Sequence, residues 1–367
     1  MIIKDLLNAI LDITTKEKYP DIHLNTGFQP MARNNNGEII KIEKINILGE
    51  EQSAPILTKD MIKNIIIELV GYNGMDKFME HFELDSSFEY KENYRYRVNC
   101  YMDSNGFSVA MRIIPSDIPT LEELNLGDTI KEMCNKGKGL ILVTGPTGSG
   151  KSTNLAAMIE YINKNFKKHI ITIEDPVEFA FKSKESLINQ REIGNHTKGF
   201  AQAIKASLRE DPDIIMIGEM RDPETIKAAI TLAETGHLVL STLHTNDTVQ
   251  SVDRIVDVFP NGQQDQIRMQ LAMSLIGIIS QRLLPRIDKD GRVPAREILL
   301  NNDAVRNLII TGKTHQLYSV IEVSSKSGMI LMDKYLLFLY KKGIISKDTL
   351  MSYARDKDGI EMLISEE

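Results

Sequence analysis

The chain has 367 residues, 42 % apolar and 26 % charged, with a net charge of −7, enough for two domains with real cores. The acidic balance argues against a broad nucleic-acid surface, and no apolar run approaches the ~20 residues of a membrane span. Two cysteines, Cys100 and Cys134, with no CxxC pair, argue against a structural zinc site and read as reduced, buried thiols.

The first stretch, "MIIKDLLNAILDITTKEKYPD", reads as an amphipathic helix over 3–15. It carries acids early and lacks a small-residue cleavage site, so it is not a signal peptide. "DIHLNTGFQPMARNNNGEIIKI" alternates, turns at Asn34-Asn35-Asn36-Gly37 and alternates again, which predicts a β-hairpin. A helix over 58–80 follows, with Thr58 as N-cap and Asp60 in its first turn. "SSFEYKENYRYRVNCYMDSNGFSVAMRII" gives two or three strands, with a turn at Asp103–Gly106. Arg95 and Arg97 are two apart and share a strand face; Arg112 lies on the next strand. Solvated strand arginines are common. The functional alternative is charge supplied to a nucleotide, as an arginine finger does.

Residues 1–114 therefore form a small α/β domain. Residues 115–125 are a linker with two prolines, and a helix starts near Thr120, marked by a capping box of Thr120 and Glu123. From 126 to 367 strands and helices alternate, which implies a mostly parallel sheet. From about 265 the pattern turns mainly helical, including "QIRMQLAMSLIGIISQRLL".

"GLILVTGPTGSGKST" is a phosphate loop in its required context, with an apolar strand before it and a helix after. Gly145, Pro146, Thr147, Gly148, Ser149, Gly150, Lys151, Ser152 and Thr153 form it. Its glycines let backbone N–H groups face phosphate oxygens, and the helix N-terminus adds partial positive charge. Lys151 reaches the β/γ-phosphates of ATP, and the Ser152 hydroxyl serves Mg²⁺.

Acidic strand ends lie downstream. "HIITIEDPVEF" runs into Glu174, Asp175 and Glu178. "DPDIIMIGEMRD" has Gly218 where such strands usually end in a metal-holding Asp, followed by Glu219. Strand C-termini converge on the ligand crevice, so these carboxylates can hold Mg²⁺, partly through water. One of Glu178 and Glu219 positions the attacking water, and the sequence leaves the choice open. In "GHLVLSTLHT", His237 and His244 flank a strand; packing histidines are common there, and a γ-phosphate sensor is the sharper alternative.

These motifs together resemble the secretion and type IV pilus ATPases, in particular their pilus-retraction branch, over nearly the whole chain. "DIHLNTGFQPMAR" resembles the family's N-terminal signature; "RYRVN" and "MRIIP" resemble its arginine-rich segment, placing Arg95, Arg97 and Arg112. "ITIEDPVEF" is similar to its Asp box, "LREDPDIIMIGEMRDPETI" to its Walker B and "AETGHLVLSTLHT" to its His box. The resemblance implies a PAS-like N-terminal domain and a RecA-like ATPase domain with a helical C-terminal part. It implies a homohexamer, cytoplasmic and peripheral at the inner membrane, working on the pilus machine's inner-membrane platform protein and not on nucleic acid directly. It assigns water activation and metal coordination to Glu178 and Glu219. The branch's "AIRNLIRE" signature reads "AVRNLIIT" at 304–311 here, without the final Arg and Glu. The other readings are an assembly ATPase of a pilus, secretion or competence system, and a non-motor ATP-dependent scaffold.

Overall fold

The computed structural model describes residues 3–34, 37–91, 94–114 and 117–365. Asn35 and Asn36 of the expected hairpin turn, and Pro115 and Ser116 of the expected linker, lie outside the described residues. The chain divides into two compact units: Met1–Asp117 with Glu178–Ala180, and Ile118–Val177 with Phe181–Glu367.

In the first unit, α1 (Ile3–Lys16) buries Leu6, Leu7, Ile10 and Leu11, the i, i+4 stripe of a one-sided helix. Then come β1 (Asp21–Asn25), β2 (Met31–Arg33), β3 (Ile39–Lys41), β4 (Lys44–Ile47), β5 (Glu50–Ser53), α2 (Lys59–His81), β6 (Glu83–Tyr90), β7 (Tyr94–Asp103) and β8 (Gly106–Ile114). Six of these strands form an antiparallel sheet in the order β3-β2-β1-β8-β7-β6, and β4 pairs with β5. The Thr58 hydroxyl caps α2 by accepting from the Met61 amide. The helix is not continuous as expected: Gly71, at φ 71°, breaks it. Asp103 Oδ1 accepts from the amides of Asn105 and Gly106, closing the predicted turn.

The second unit runs α3 (Asp128–Cys134), β9 (Gly139–Thr144), α4 (Lys151–Asn165), β10 (His169–Glu174), β11 (Leu187–Glu192), α5 (Phe200–Ser207), β12 (Ile214–Ile217), α6 (Pro223–Glu234), β13 (Leu238–Leu243), α7 (Thr248–Asp257) and α8 (Asn261–Ser274). It continues with β14 (Leu275–Pro285), β15 (Arg292–Leu300), α9 (Asp303–Ile310), α10 (Leu317–Val323), α11 (Met332–Lys341), α12 (Lys347–Tyr353) and α13 (Lys357–Ser365). The sheet order is β11-β10-β12-β13-β9-β14-β15; every pairing is parallel except β14–β15. β9, β12 and β13 are buried along their whole length, as strands covered on both faces must be. Along β9, Leu140 and Leu142 pack into the cluster shared with α5–α10, while Ile141 and Val143 pack with α3 and α4 on the other face.

Two expectations are corrected here. The capping box at Thr120 and Glu123 forms, but residues 121–125 make only turns, because Asn125 leaves the helical region at φ 52°. The stretch from 265 is not helical throughout: after α8 ends at Ser274, β14 and β15 extend the central sheet, and the helical part resumes at α9.

Buried Glu297 on β15 ties three elements together. Its Oε1 accepts from the Thr248 amide and hydroxyl at 2.9 and 2.7 Å, and its Oε2 accepts from the Met332 amide at 3.2 Å. One carboxylate thus caps the N-termini of both α7 and α11. Burial pushes its pKa up, against the pull of those donors. Cys100 and Cys134 are free and buried, with pKa values pushed up to about 12, so neither is a reactive thiolate.

Candidate active site

In the second unit, β9, β10, β12 and β13 run parallel, so their C-terminal ends share one edge of the sheet. At that edge Thr144 lies opposite Leu243 on one side and Ser280 on the other. The loop beyond it needs its glycines. Gly145 adopts φ 144°, and a Cβ there would lie 2.2 Å from the Gln281 carbonyl oxygen and 2.6 Å from Ser149 Oγ. Gly150 adopts φ 84° at the start of α4, and its Cβ would meet Gln281 Nε2 at 2.9 Å. The Lys151 ammonium donates to the carbonyls of Gly145 and Pro146 at 2.9 and 3.0 Å, so it is held over the loop. Ser149 Oγ is buried and has no hydrogen-bond partner among the described residues. Ser152 and Thr153 occupy the first turn of α4.

A brace that no motif announced supports this loop. Gln281 Nε2 donates to the Ser149 carbonyl at 2.7 Å. Its Oε1 accepts from Asn154 Nδ2 at 2.9 Å and from Arg296 Nε at 2.6 Å. Gln281 and Arg296 are buried and face each other across the β14–β15 ladder.

Glu219 follows β12. Its Oε2 accepts from Arg221 Nε at 2.7 Å and lies 3.3 Å from His244 Nε2, which follows β13. The segment is strapped to β13: the Thr242 hydroxyl donates to the Gly218 carbonyl, and the Met220 amide to the Thr242 carbonyl. Gly218 is not required by its backbone. A Cβ there would find its nearest atoms, Glu174 Cα and the Ile173 carbonyl, at 3.4 Å. Glu174 ends β10, buried, and accepts from the Thr172 hydroxyl at 2.7 Å and Gln190 Nε2 at 3.0 Å. The loop after it is anchored by buried Glu192, whose Oε2 accepts from the Val177 amide at 3.1 Å.

The structure brings together the loop residues and pairs Glu219 with His244. It sets His237 apart. That residue precedes β13, its carbonyl accepting from the Gly139 amide at the start of β9, a strand length of roughly 20 Å from His244. Its Nδ1 lies 3.1 Å from the Leu232 carbonyl, a packing contact. Glu178 falls in the short segment grouped with the first unit. The three arginines belong to the main part of that unit, Met1–Asp117. Arg95 and Arg97 lie on the face of β7 opposite buried Tyr96, Val98 and Cys100, as their spacing required. Arg95 donates to the Ser87 hydroxyl at 3.2 Å, and Arg97 pairs in register with Arg112, whose Nε donates to Asp21 at 2.6 Å.

A glycine cradle that a Cβ would fill, an orphaned buried hydroxyl and a helix N-terminus fit a nucleotide's phosphates. The Ser152 hydroxyl and the carboxylates are hard oxygen donors suited to Mg²⁺ shared with phosphate and water. Among the described residues no cluster of three His, Cys, Asp or Glu could hold a metal alone.

The family model for type II/IV secretion system proteins matches residues 80–324. The type IV pilus retraction ATPase PilT of Pseudomonas aeruginosa is 42 % identical over 349 residues, 95 % of this chain and 98 % of that protein. A twitching motility protein of Neisseria gonorrhoeae is 46 % identical over 306 residues, 83 % of this chain and 82 % of that one. A crystal structure of the pilus retraction motor PilT with bound ADP has a TM-score of 0.85 and 41 % identity, covering 97 % of this chain and 99 % of that one.

Proposed function

The chain belongs to the type II/IV secretion system protein family, and from that premise we propose that it is an ATPase motor driving type IV pilus retraction. The observation that carries the proposal is the braced phosphate loop, set beside the Glu219–His244 pair, in a chain similar from end to end to a retraction ATPase.

The loop amides and Lys151 bind the β- and γ-phosphates of ATP. Ser152, Glu219 and Glu178 are the residues that would hold Mg²⁺, as hard oxygen donors. When bound, the ion neutralises charge building on the transferred phosphoryl. Glu219, fixed by Arg221 and His244, orients the attacking water, and His244 senses the γ-phosphate through the same contact. Glu174, held by Thr172 and Gln190, shapes the crevice floor. Arg95, Arg97 and Arg112 supply positive charge to the transition state, and His237 acts outside this phosphate site. The active form is a homohexamer, peripheral at the cytoplasmic membrane, which passes movement to the platform protein of the pilus machine. With no helix among the described residues long and apolar enough to cross a membrane, docking through that partner accounts for the location.

The test is ATP turnover of the purified protein beside Lys151→Ala. We expect turnover in the wild type and a loss of at least about 100-fold in the variant, because the ammonium that compensates phosphate charge is gone. Lys151-independent turnover, or none in any assembly state, would leave the scaffold reading.

A further inference from the structure

We infer that Gln281 and Arg296 are positioning residues that link the shape of the phosphate loop to the turn at residues 121–126. The inference rests on the reading of this chain as a nucleotide-driven ATPase. It adds a path by which bound nucleotide is felt where the chain enters its second unit, just past the boundary at Asp117 and Ile118.

The path is continuous. Arg296 Nη2 donates to the Leu124 carbonyl at 2.7 Å, and Nη1 to the Asn125 carbonyl at 3.0 Å. Arg296 Nε donates to Gln281 Oε1, and Gln281 Nε2 donates to the Ser149 carbonyl inside the loop. Asn154 adds a branch from Gln281 to α4. Each end is stiff. The turn is closed by the Thr120–Glu123 box, by the Leu126 amide on the Leu121 carbonyl, and by Asn125 in the left-handed region. The loop packs directly on Gln281, since a Cβ at Gly145 or Gly150 would strike it. The loop therefore cannot change shape without displacing the Gln281 amide.

Fold stability alone does not call for this arrangement. The backbone ladder of β14 and β15 already sets their register through nine residue pairs. Burying a guanidinium is costly, and an apolar pair would fill the same space more cheaply. Among the described residues the guanidinium forms no ion pair with a carboxylate; it donates to an amide oxygen and two backbone carbonyls and also meets the Tyr335 hydroxyl of α11. Such partners make the contact depend on the geometry of the turn and the loop.

The test is hydrogen exchange of the full-length protein with and without a non-hydrolysable ATP analogue, in the wild type, Gln281→Glu and Arg296→Lys. The glutamate keeps an acceptor for Arg296 and Asn154 but cannot donate to Ser149, so it severs the loop arm alone. The lysine keeps the charge but cannot span the three acceptors, so it severs the turn arm. In the wild type the analogue should slow exchange of the Leu124–Leu126 amides by about tenfold, the scale of one hydrogen bond gained or lost. In both variants that ratio should fall below about twofold. The KM for ATP should rise about tenfold with kcat within about threefold, because ground-state binding is what the brace sets. Faster exchange at the turn with the analogue's effect intact would mean a structural role only and would overturn the inference. Should Arg296→Lys fail to fold, Gln281→Glu decides alone. A wild type that binds a fluorescent ATP analogue without any response at 124–126 sinks the inference and leaves the ATPase reading standing. A wild type that binds no nucleotide sinks both.

Discussion

Gly218 stands at the end of β12, where many phosphate-binding ATPases place a metal-holding aspartate. The backbone does not demand glycine there, whereas at Gly145 it does. Gly218→Ala should therefore change stability by less than about 1 kcal/mol. Gly145→Ala forces a side chain into the Gln281 carbonyl and should cost upward of about 2 kcal/mol and abolish nucleotide binding. Thermal melts with and without ATP separate the two cases; equal costs would contradict the geometry. With no aspartate at 218, Glu219 is the carboxylate of that strand end. Glu219→Gln should keep ATP binding within about threefold and lower turnover by roughly 100-fold or more, since an amide cannot take the water's proton. Wild-type turnover in that variant would remove Glu219 from the chemistry. The phosphate loop was legible because its residues are consecutive and each has a local reason. Gln281 and Arg296 were not, because their roles arise only when β14 and β15 align beside the loop, and nothing local sets them apart from their polar neighbours Ser280, Arg282 and Glu297.

At the scale of elements, the sequence showed its pattern where turns punctuate it and hid it where they do not. β14 begins at Leu275, directly after α8 ends at Ser274, so one apolar run crosses from helix to strand without a breaker. β15 contains Pro294, which argues against a central strand. It is tolerated because β15 is the outermost strand of its sheet. β11, the opposite outer strand, is mostly polar, with Asn189, Gln190, Arg191 and Glu192 in a row, and carries no strong strand signal. Glu297 had no local signature either, since its partners Thr248 and Met332 are distant in sequence. Glu297→Ala leaves two helix N-termini with unmet donors and should cost roughly 3 kcal/mol in chemical denaturation. A loss under about 1 kcal/mol would show that water replaces the carboxylate. In α9, which carries the altered "AVRNLIIT" segment, Ile310 and Thr311 are exposed at the helix end, so the change touches a surface and leaves the core of the fold intact.

For the whole molecule, the architecture follows from strands and helices that alternate after residue 126, and the family follows from motifs spread over both units. Retraction as the mechanical outcome depends on partners that act on the assembled motor, and no single side chain encodes it. Pilus number and movement on living cells therefore test the central claim most directly, comparing the wild type with a strain whose only copy carries Lys151→Ala. The account predicts more surface pili together with lost twitching, because filaments are built and not withdrawn. Bald cells would contradict it and make the chain an assembly ATPase, and unchanged piliation and movement would contradict a motor role.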